Sequence, residues 1–558
     1  LVAVEAGEEP AGAQLVIARG VTGQRLQLEP LWDRDLVSAF RQLPCAGGST
    51  SVVADPSVAG QLDSFINGHR VLLSGSACDV MSEMLIEYRE ASEAVELSRA
   101  RTAPPIAATA GVLGGVLKPF QWAAVRYALE RRSVFLADEQ GLGKTVEALA
   151  TIDADGAYPA IVVCPASMKL TWERESVRWL PHRSVVVIHG RPAVPPSGDI
   201  TILNYEVVSA HREQLSQRRP RALIVDESHY CKNPYARRTQ AVVQLAGAVA
   251  PDGLRLALSG TPVLNRADEL ISQLRLLGRI HEFGSAAGFS RQFTDDGFED
   301  RLNWHLRRSC FVRRLKSEVI PQLPAKRRIA VPVALENEPE YRLAERDVIA
   351  WLRSQPLDLS ELSARVGAAL RAQRLARLTA LLRLAGRGKL AAGMAWITDF
   401  IASEEPLVVF ARHVEVQRAL VDRFPGALHL LGSDNLRRRE ATVKTFQDPR
   451  GPCLLICATR VAAQGITLTR ASNVAFMELE WTPAMHDQAE DRCHRIGQRS
   501  AVSAWYLLAA GTIDEMIGRL IGRKRKVVAA ATDGQQLPDI ALVDAVVREL
   551  RESEPERG

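Results

Sequence analysis

The 558-residue chain has no C-x-x-C pair, no run of eighteen apolar residues and no large excess of either charge. Each absence excludes something. Its eight cysteines are scattered, and the closest two, Cys453 and Cys457, lie in the apolar run CLLIC. On a strand four residues separate side chains by roughly 13 Å, too far for a shared metal or a disulfide. Structural zinc is therefore not expected, and a reducing cytoplasm is the expected compartment. Without an apolar run of eighteen residues no membrane-spanning helix is predicted. The first residues, LVAVEAGEEPAGA, are acidic where a secretory signal is basic, which argues against export. Lys and Arg number 70 against 65 Asp and Glu, a net charge of +5. That balance excludes a histone-like polycation but permits a local basic cleft.

What is present is a globular composition, 47% hydrophobic and 24% charged, in a chain long enough for two to four domains. Residues 1–101 alternate strand-like runs (QLVIA, RLQL, RVLLS) with helical stretches such as SEMLIEYREASEAVEL, and read as a small α+β module. Residues 102–116 are rich in Pro, Ala and Gly and read as a linker. Across 117–265 the runs SVFLAD, AIVVCP, SVVVIH, ITILNY, ALIVDE and LRLALSG are nearly all apolar, as strands buried on both faces must be. Their alternation with amphipathic helices predicts a doubly wound parallel α/β sheet. A charged, mostly helical stretch fills 266–400, and the α/β rhythm returns over 401–535 with LVVF, LHLL, CLLIC, NVAFME and SAWYLL. Residues 536–558 read as a terminal helix and tail. The fold class expected is α/β, two doubly wound parallel-sheet lobes with helical insertions and a small N-terminal module.

The strongest local signal is ADEQGLGKT, which follows the strand SVFL and opens a helix. Gly141 and Gly143 let the backbone of Glu139–Lys144, Leu142 included, curl its N–H groups towards phosphate oxygens at a helix N-terminus. Lys144 would reach the β- and γ-phosphates, and the Thr145 hydroxyl would ligate Mg²⁺. Asp138 stands where the strict phosphate-loop pattern has glycine. A glycine-rich helix cap is the plain alternative, and the strand-loop-helix context argues against it. ALIVDESH supplies the matching half. Asp226, at a strand end, would hold Mg²⁺, and Glu227 would orient or deprotonate the attacking water.

DEQGLGKT, DESH, SGTP (Ser259 to Pro262) and QAEDRCHRIGQ (Gln488 to Gln498) resemble the ordered motifs of superfamily 2 helicases, and more narrowly of the Swi/Snf-type DNA translocases. LKPFQ, CPASMKLTWERE, FVRRLKSEVIPQLPAKRR, WTP and GTIDEMI continue the resemblance over roughly 117–530. PQLPAKRR and ELEWTPAMHDQAEDRCHRIGQ are most similar to the fork-remodelling annealing helicases. The resemblance implies two RecA-like lobes, ATP with Mg²⁺, double-stranded or branched DNA as partner, and work in DNA repair. It also implies that Gln121 reads adenine. Gln140, Ser228, Ser259, Ala463 and Gln464 depart from the family's usual residues, and none of them is a group that hydrolysis needs.

If QAEDRCHRIGQ is helical, Gln488, Arg492 and Arg495 fall at i, i+4 and i+7 on one face. Two guanidiniums on that face would enter a nucleotide cleft and stabilise charge on the transferring phosphoryl group. A surface helix with local ion pairs to Glu490 and Asp491 is the alternative. Basic groups at Arg313, Arg314 and Lys316, at Lys326–Arg328 and at Arg523–Lys526 are candidates to track a DNA backbone, and the resemblance places the first two beside the DNA path. Trp481 is either a DNA-facing aromatic or a buried interface residue, and His229 either couples to Gln488 or serves as a cap or core residue. DLVSAFRQLPCAGG in the N-terminal module resembles the HARP-type accessory domain of annealing helicases, with a generic docking module as the alternative. The expected activity is ATP-driven translocation on duplex DNA. A strand-separating DEAH-type helicase and a nucleotide-gated adaptor are the competing readings.

Overall fold

The computed structural model describes residues 14–20, 23–29, 33–69, 71–190, 197–260, 268–293, 298–356, 364–462, 466–481, 483–533 and 542–552. Thr261, Pro262, Ala463, Gln464 and Thr482, which belong to the motifs above, lie outside the described residues. The chain forms two compact units. One holds the described residues of Leu1–Asp138, Lys144–Arg314 and Val528–Leu537, and the other those of Glu139–Gly143, Leu315–Val527 and Pro538–Gly558.

The first unit begins with a four-stranded sheet of β1 (Gln14–Gly20), β2 (Gly23–Glu29), β3 (Ser51–Val53) and β4 (Leu72–Leu73), in the order β3-β2-β1-β4. The helix Gly75–Arg99, capped by Ser74, runs from this sheet into the body of the unit. There the Ser98 hydroxyl donates to the Phe311 carbonyl at 2.6 Å, Tyr88 stacks on Trp304, and His305 pairs with Asp55 at 2.9 Å. The module is thus packed on the helix Phe298–Ser309.

Residues 102–116 are more structured than a linker. They include a short helix, Ala107–Ala110, and Gly114 donates to the Trp179 carbonyl at 2.9 Å. A Cβ on Gly114 would stand 1.8 Å from the Arg178 carbonyl oxygen, so the glycines that suggested flexibility serve close backbone packing.

Seven strands follow: β5 (Ser133–Leu136), β6 (Ala160–Cys164), β7 (Val185–Val187), β8 (Ile200–Asn204), β9 (Ala222–Asp226), β10 (Leu254–Leu258) and β11 (Phe311–Val312). They form one parallel sheet in the order β11-β5-β10-β9-β6-β8-β7. Both faces are covered: Val134 and Leu136 pack into one apolar cluster while Phe135 packs into another. Because β11 closes the sheet beside β5, this unit runs to Arg314 rather than ending at the expected residue 265. The first part of the stretch expected to be a helical insertion contributes a sheet strand.

The second unit holds β12 (Lys326–Val333), β13 (Leu407–Ala411), β14 (Leu428–Leu430), β15 (Leu454–Ala458), β16 (Asn473–Phe476) and β17 (Val502–Ala509). All pair in parallel, in the order β12-β17-β16-β13-β15-β14. Leu407 and Val409 face one apolar cluster and Val408 and Phe410 the other, so the inner strands are buried throughout. The edge strand β12, three basic residues followed by IAVPV, is largely half-buried or exposed, and only Val333 at its end is buried. It lies inside the stretch expected to be helical, so that expectation is corrected here too. Each unit therefore offers the carboxyl ends of a parallel sheet, where open α/β folds bind their ligands.

Candidate active site

In the first unit the chain leaves β5 through Ala137 and Asp138. The Asp138 carboxylate is fully buried and accepts from the Arg314 backbone N–H and from its Nη1, each at 2.9 Å. Its carbonyl accepts from Lys144 Nζ at 2.7 Å. With its carboxylate oxygens engaged in this way, Asp138 shapes the loop. Gly141 and Gly143 have φ of +88° and +98°, the left-handed geometry that only glycine adopts freely. Lys144 and Thr145 open the helix Lys144–Asp155. Burial lowers the Lys144 pKa, opposed by the charges of Glu227, Asp138, Glu147 and Asp226.

Two strands along the sheet, β9 ends at Asp226. Trp172 Nε1 donates to Asp226 Oδ2 at 2.8 Å, and the Glu227 N–H donates to Oδ1 at 2.9 Å. Burial, then the neighbouring Glu227 charge, pushes the Asp226 pKa up to about 6. Glu227 is held at φ 50°, ψ 53°. A non-glycine residue there costs of order 1–3 kcal/mol and persists only where its surroundings enforce it. The Tyr205 hydroxyl supplies part of that enforcement, donating to the Asp226 carbonyl at 2.6 Å. His229 Nδ1 lies 3.3 Å from both Glu227 Oε2 and Ser259 Oγ. The Ser228 hydroxyl donates to Gln273 Oε1 at 2.7 Å, which gives both unusual serines a place in the network.

Sequence reading missed Trp172, Tyr205, Gln273 and Glu147. Trp172 carried a signal, its place in the expected motif CPASMKLTWERE, but the spacing alone gave it no role. Glu147, fully buried one helical turn beyond the loop, has its pKa raised well above the usual range by burial and the Asp138 charge. Gln121 Oε1 accepts from the Lys118 N–H at 2.8 Å and so closes the first turn of its own helix.

Two of the four candidate DNA contacts, Arg314 and Lys316, are buried, and Trp481 takes up the second of its two readings in part, being half-buried. Arg314 is 1% exposed, bonded to Asp138 and, through Nε, to the Ala100 carbonyl at 2.8 Å. Lys316, in the second unit, is 5% exposed: its Nζ contacts Asp491 Oδ1 at 2.9 Å and the His494 carbonyl at 2.8 Å, and its N–H donates to Glu139 Oε2 at 2.7 Å. Trp481 packs against the core of the six-stranded sheet. Arg313 is half-buried, its Nη1 donating to the Ala137 and Gly260 carbonyls at 3.0 and 3.1 Å. These cations sit against the strand ends and turns of their own units because buried carboxylates and carbonyls lie there. Of the Arg523–Lys526 run, Arg523 is exposed on the helix Ile513–Asp533.

The QAEDRCHRIGQ segment is also corrected. The helix Pro483–Glu490 carries Gln488 and stops, and residues 491–497 form turns carrying Arg492 and Arg495. The helical face that would have joined the three therefore does not exist. The Leu468 N–H donates to the Arg492 carbonyl at 2.8 Å, and Arg495 Nη1 donates to Thr467 Oγ1 at 2.9 Å.

The donors present fit a nucleoside triphosphate with Mg²⁺. Two left-handed glycines precede a helix N-terminus with a half-buried lysine, and the hydroxyl of Thr145 and the carboxylate of Asp226 are hard oxygen donors. Among the described residues no group of three His, Cys, Asp or Glu side chains could hold a metal by itself, and no helix is long and apolar enough to cross a membrane.

Comparison with known proteins agrees with this arrangement. The SNF2-related domain matches residues 117–358, and the helicase conserved C-terminal domain matches residues 394–497. The SWI/SNF-related matrix-associated actin-dependent regulator of chromatin subfamily A-like protein 1 of Xenopus tropicalis is 32% identical over 445 residues, 75% of this chain and 45% of that protein. The human DNA annealing helicase and endonuclease ZRANB3 is 29% identical over 451 residues, 75% of this chain and 41% of that protein. Among solved structures, the Sulfolobus solfataricus SWI2/SNF2 ATPase core in complex with dsDNA is 22% identical, over 76% of this chain and 94% of that one, with a TM-score of 0.38, too slight a likeness to carry weight. The chain spans about half the length of the curated relatives it matches. With both domains in order and together matching more than half of its residues, the chain belongs to the SNF2-related family of helicase-like proteins.

Proposed function

We propose that this chain hydrolyses ATP and uses the cycle to move along double-stranded DNA, remodelling or re-annealing branched DNA such as replication forks. The observation that carries the reading is the gathering of Lys144, Asp226 and a left-handed Glu227 at the carboxyl ends of β5 and β9. Lys144 binds the β- and γ-phosphates. Thr145 and Asp226 would hold Mg²⁺, which neutralises charge on the phosphates when bound. Glu227 orients a water for attack on the γ-phosphorus and accepts its proton as the bond to the β–γ bridging oxygen breaks and ADP leaves. The backbone N–H groups of Glu139–Gly143 cradle phosphate oxygens, and Gln121 lies near the adenine. Arg492 and Arg495 stabilise charge on the transferring phosphoryl group, and Gln488 supports them. Opening and closing of the site with each cycle supplies the stepping.

The choice of branched DNA, and a part in DNA repair, rests on the family and on relatives named as DNA annealing helicases. Eight free cysteines suit a reducing compartment that holds DNA. Relatives named as regulators of chromatin give no support to the cytoplasm in particular. Steady-state ATPase with duplex, forked or single-stranded DNA or RNA as separate activators tests the proposal. Duplex and forked DNA should stimulate most, and RNA as the best activator would replace this reading with a DEAH-type helicase.

A further inference from the structure

Within the second unit, cations on β12 and just before it meet the end of the helix Pro483–Glu490. Lys326 Nζ lies 2.9 Å from Glu490 Oε2 and 2.9 Å from Asp491 Oδ1. Arg328 grips Glu490 with two nitrogens, Nε at 2.9 Å and Nη2 at 2.7 Å, and reaches Asp487 at 2.9 Å. Lys316 takes the other approach to Asp491 and also holds the His494 carbonyl. The Tyr506 hydroxyl donates to Glu490 Oε1 at 2.6 Å, and His494 Nε2 lies 2.8 Å from the Pro324 carbonyl. The Glu490 side chain is fully buried and that of Asp491 is 6% exposed.

Burying so many charges is costly unless each is paired. Apolar residues at these positions would serve packing as well, so stability alone does not account for the lattice. Its members do share one target. They grip the backbone and side chains on both sides of Arg492, at Glu490, Asp491 and His494, where the regular helix has ended and the chain continues in turns.

We propose that Lys326 and Arg328, with Lys316, are positioning residues that hold the turn bearing Arg492 and Arg495 in the geometry needed for phosphoryl transfer. This rests on the reading of those arginines given above. The β12 cations that the sequence suggested for DNA thereby act through the arginine turn. A displacement of about 1 Å at a reacting group costs roughly 10²-fold in rate, so loosening the turn should lower turnover and spare ground-state binding of ATP.

The test is a mutant cycle in the full chain, measuring kcat, ATP affinity and melting temperature. Lys326→Met should lower kcat by roughly 10- to 100-fold and change ATP affinity little. In the Arg492→Ala/Arg495→Ala background the same substitution should lower it no further, because it acts only through those arginines. Lys326→Arg should restore most of the turnover. Should Lys326→Met fail to fold, Arg328→Lys, which keeps the charge but loses the two-nitrogen grip on Glu490, takes its place in the cycle. Equal losses in both backgrounds, or no loss in either, would overturn the proposal. The Arg492→Ala/Arg495→Ala protein measured alone separates the two claims: full turnover there removes the arginine role first, and the positioning role with it.

Discussion

Arg314 offers the sharpest contrast between a surface and a buried reading of the same residue. Its side chain is 1% exposed, and the partner carboxylate of Asp138 is 0% exposed. Arg314→Met deletes the Nη1 bond at 2.9 Å and the Nε bond to Ala100 at 2.8 Å, leaving the buried Asp138 carboxylate without its guanidinium partner. Removing one partner of a buried pair costs about 3–5 kcal/mol, since the other charge stays behind uncompensated. At about 2 °C per kcal/mol, the value for a large domain, the melting transition of this unit should fall by roughly 6 to 10 °C. Adding Asp138→Asn should return part of the loss, a coupling of about 2 kcal/mol or more. Scanning calorimetry on the single and double variants measures both. The salt dependence of DNA affinity should not change, because a buried guanidinium releases no counterion from phosphate. A variant melting within about 1 °C of the parent, with its salt slope reduced by about one, would refute the reasoning and return Arg314 to the DNA surface.

At the hydrolytic centre, Lys144→Ala should weaken ATP binding, whereas Glu227→Gln should keep binding and stop turnover, as equilibrium binding and single-turnover assays would show. Asp226 has its pKa raised to about 6, so its carboxylate is mostly ionised at pH 7 and mostly protonated at pH 5. Mg²⁺-dependent nucleotide affinity should therefore fall about tenfold between those values. The same shift acts on folding in the opposite sense. A raised acid pKa means the fold favours the neutral form, so its contribution is present below the unfolded value and is lost as pH rises through about 6. Asp226→Asn should accordingly raise the melting temperature at pH 7 to 8 while impairing turnover, and an unchanged or lower melting temperature would contradict the burial argument.

Much of the fold was legible because the relevant physics is local. A strand buried on both faces must be apolar throughout, and each of the runs from SVFL to SAWYLL became a strand. The phosphate loop was legible for the same reason, since two glycines, a lysine and the helix they precede are contiguous. What escaped was set by partners distant in sequence. Arg314 and Arg328 looked like surface charge because Asp138 and Glu490 lie 176 and 162 residues away. The spacing of Gln488, Arg492 and Arg495 matched a helix that ends at Glu490, where the lattice from β12 takes over. The glycines near 114 looked like a flexible joint because nothing local reveals the Trp179 backbone against which they pack. The extent of the first lobe was misjudged because β11 is two residues long and recognisable only by its pairing with β5.

The central claim is movement along duplex DNA driven by hydrolysis at Lys144 and Glu227, and displacement of a third strand from a DNA triplex measures it most directly. With ATP the protein should release the third strand from a triplex flanked by duplex and leave the underlying duplex intact. Glu227→Gln should bind the same substrate and release nothing. Release by Glu227→Gln, no release by the parent protein while its ATPase is stimulated by duplex, or processive separation of the duplex itself would contradict the account.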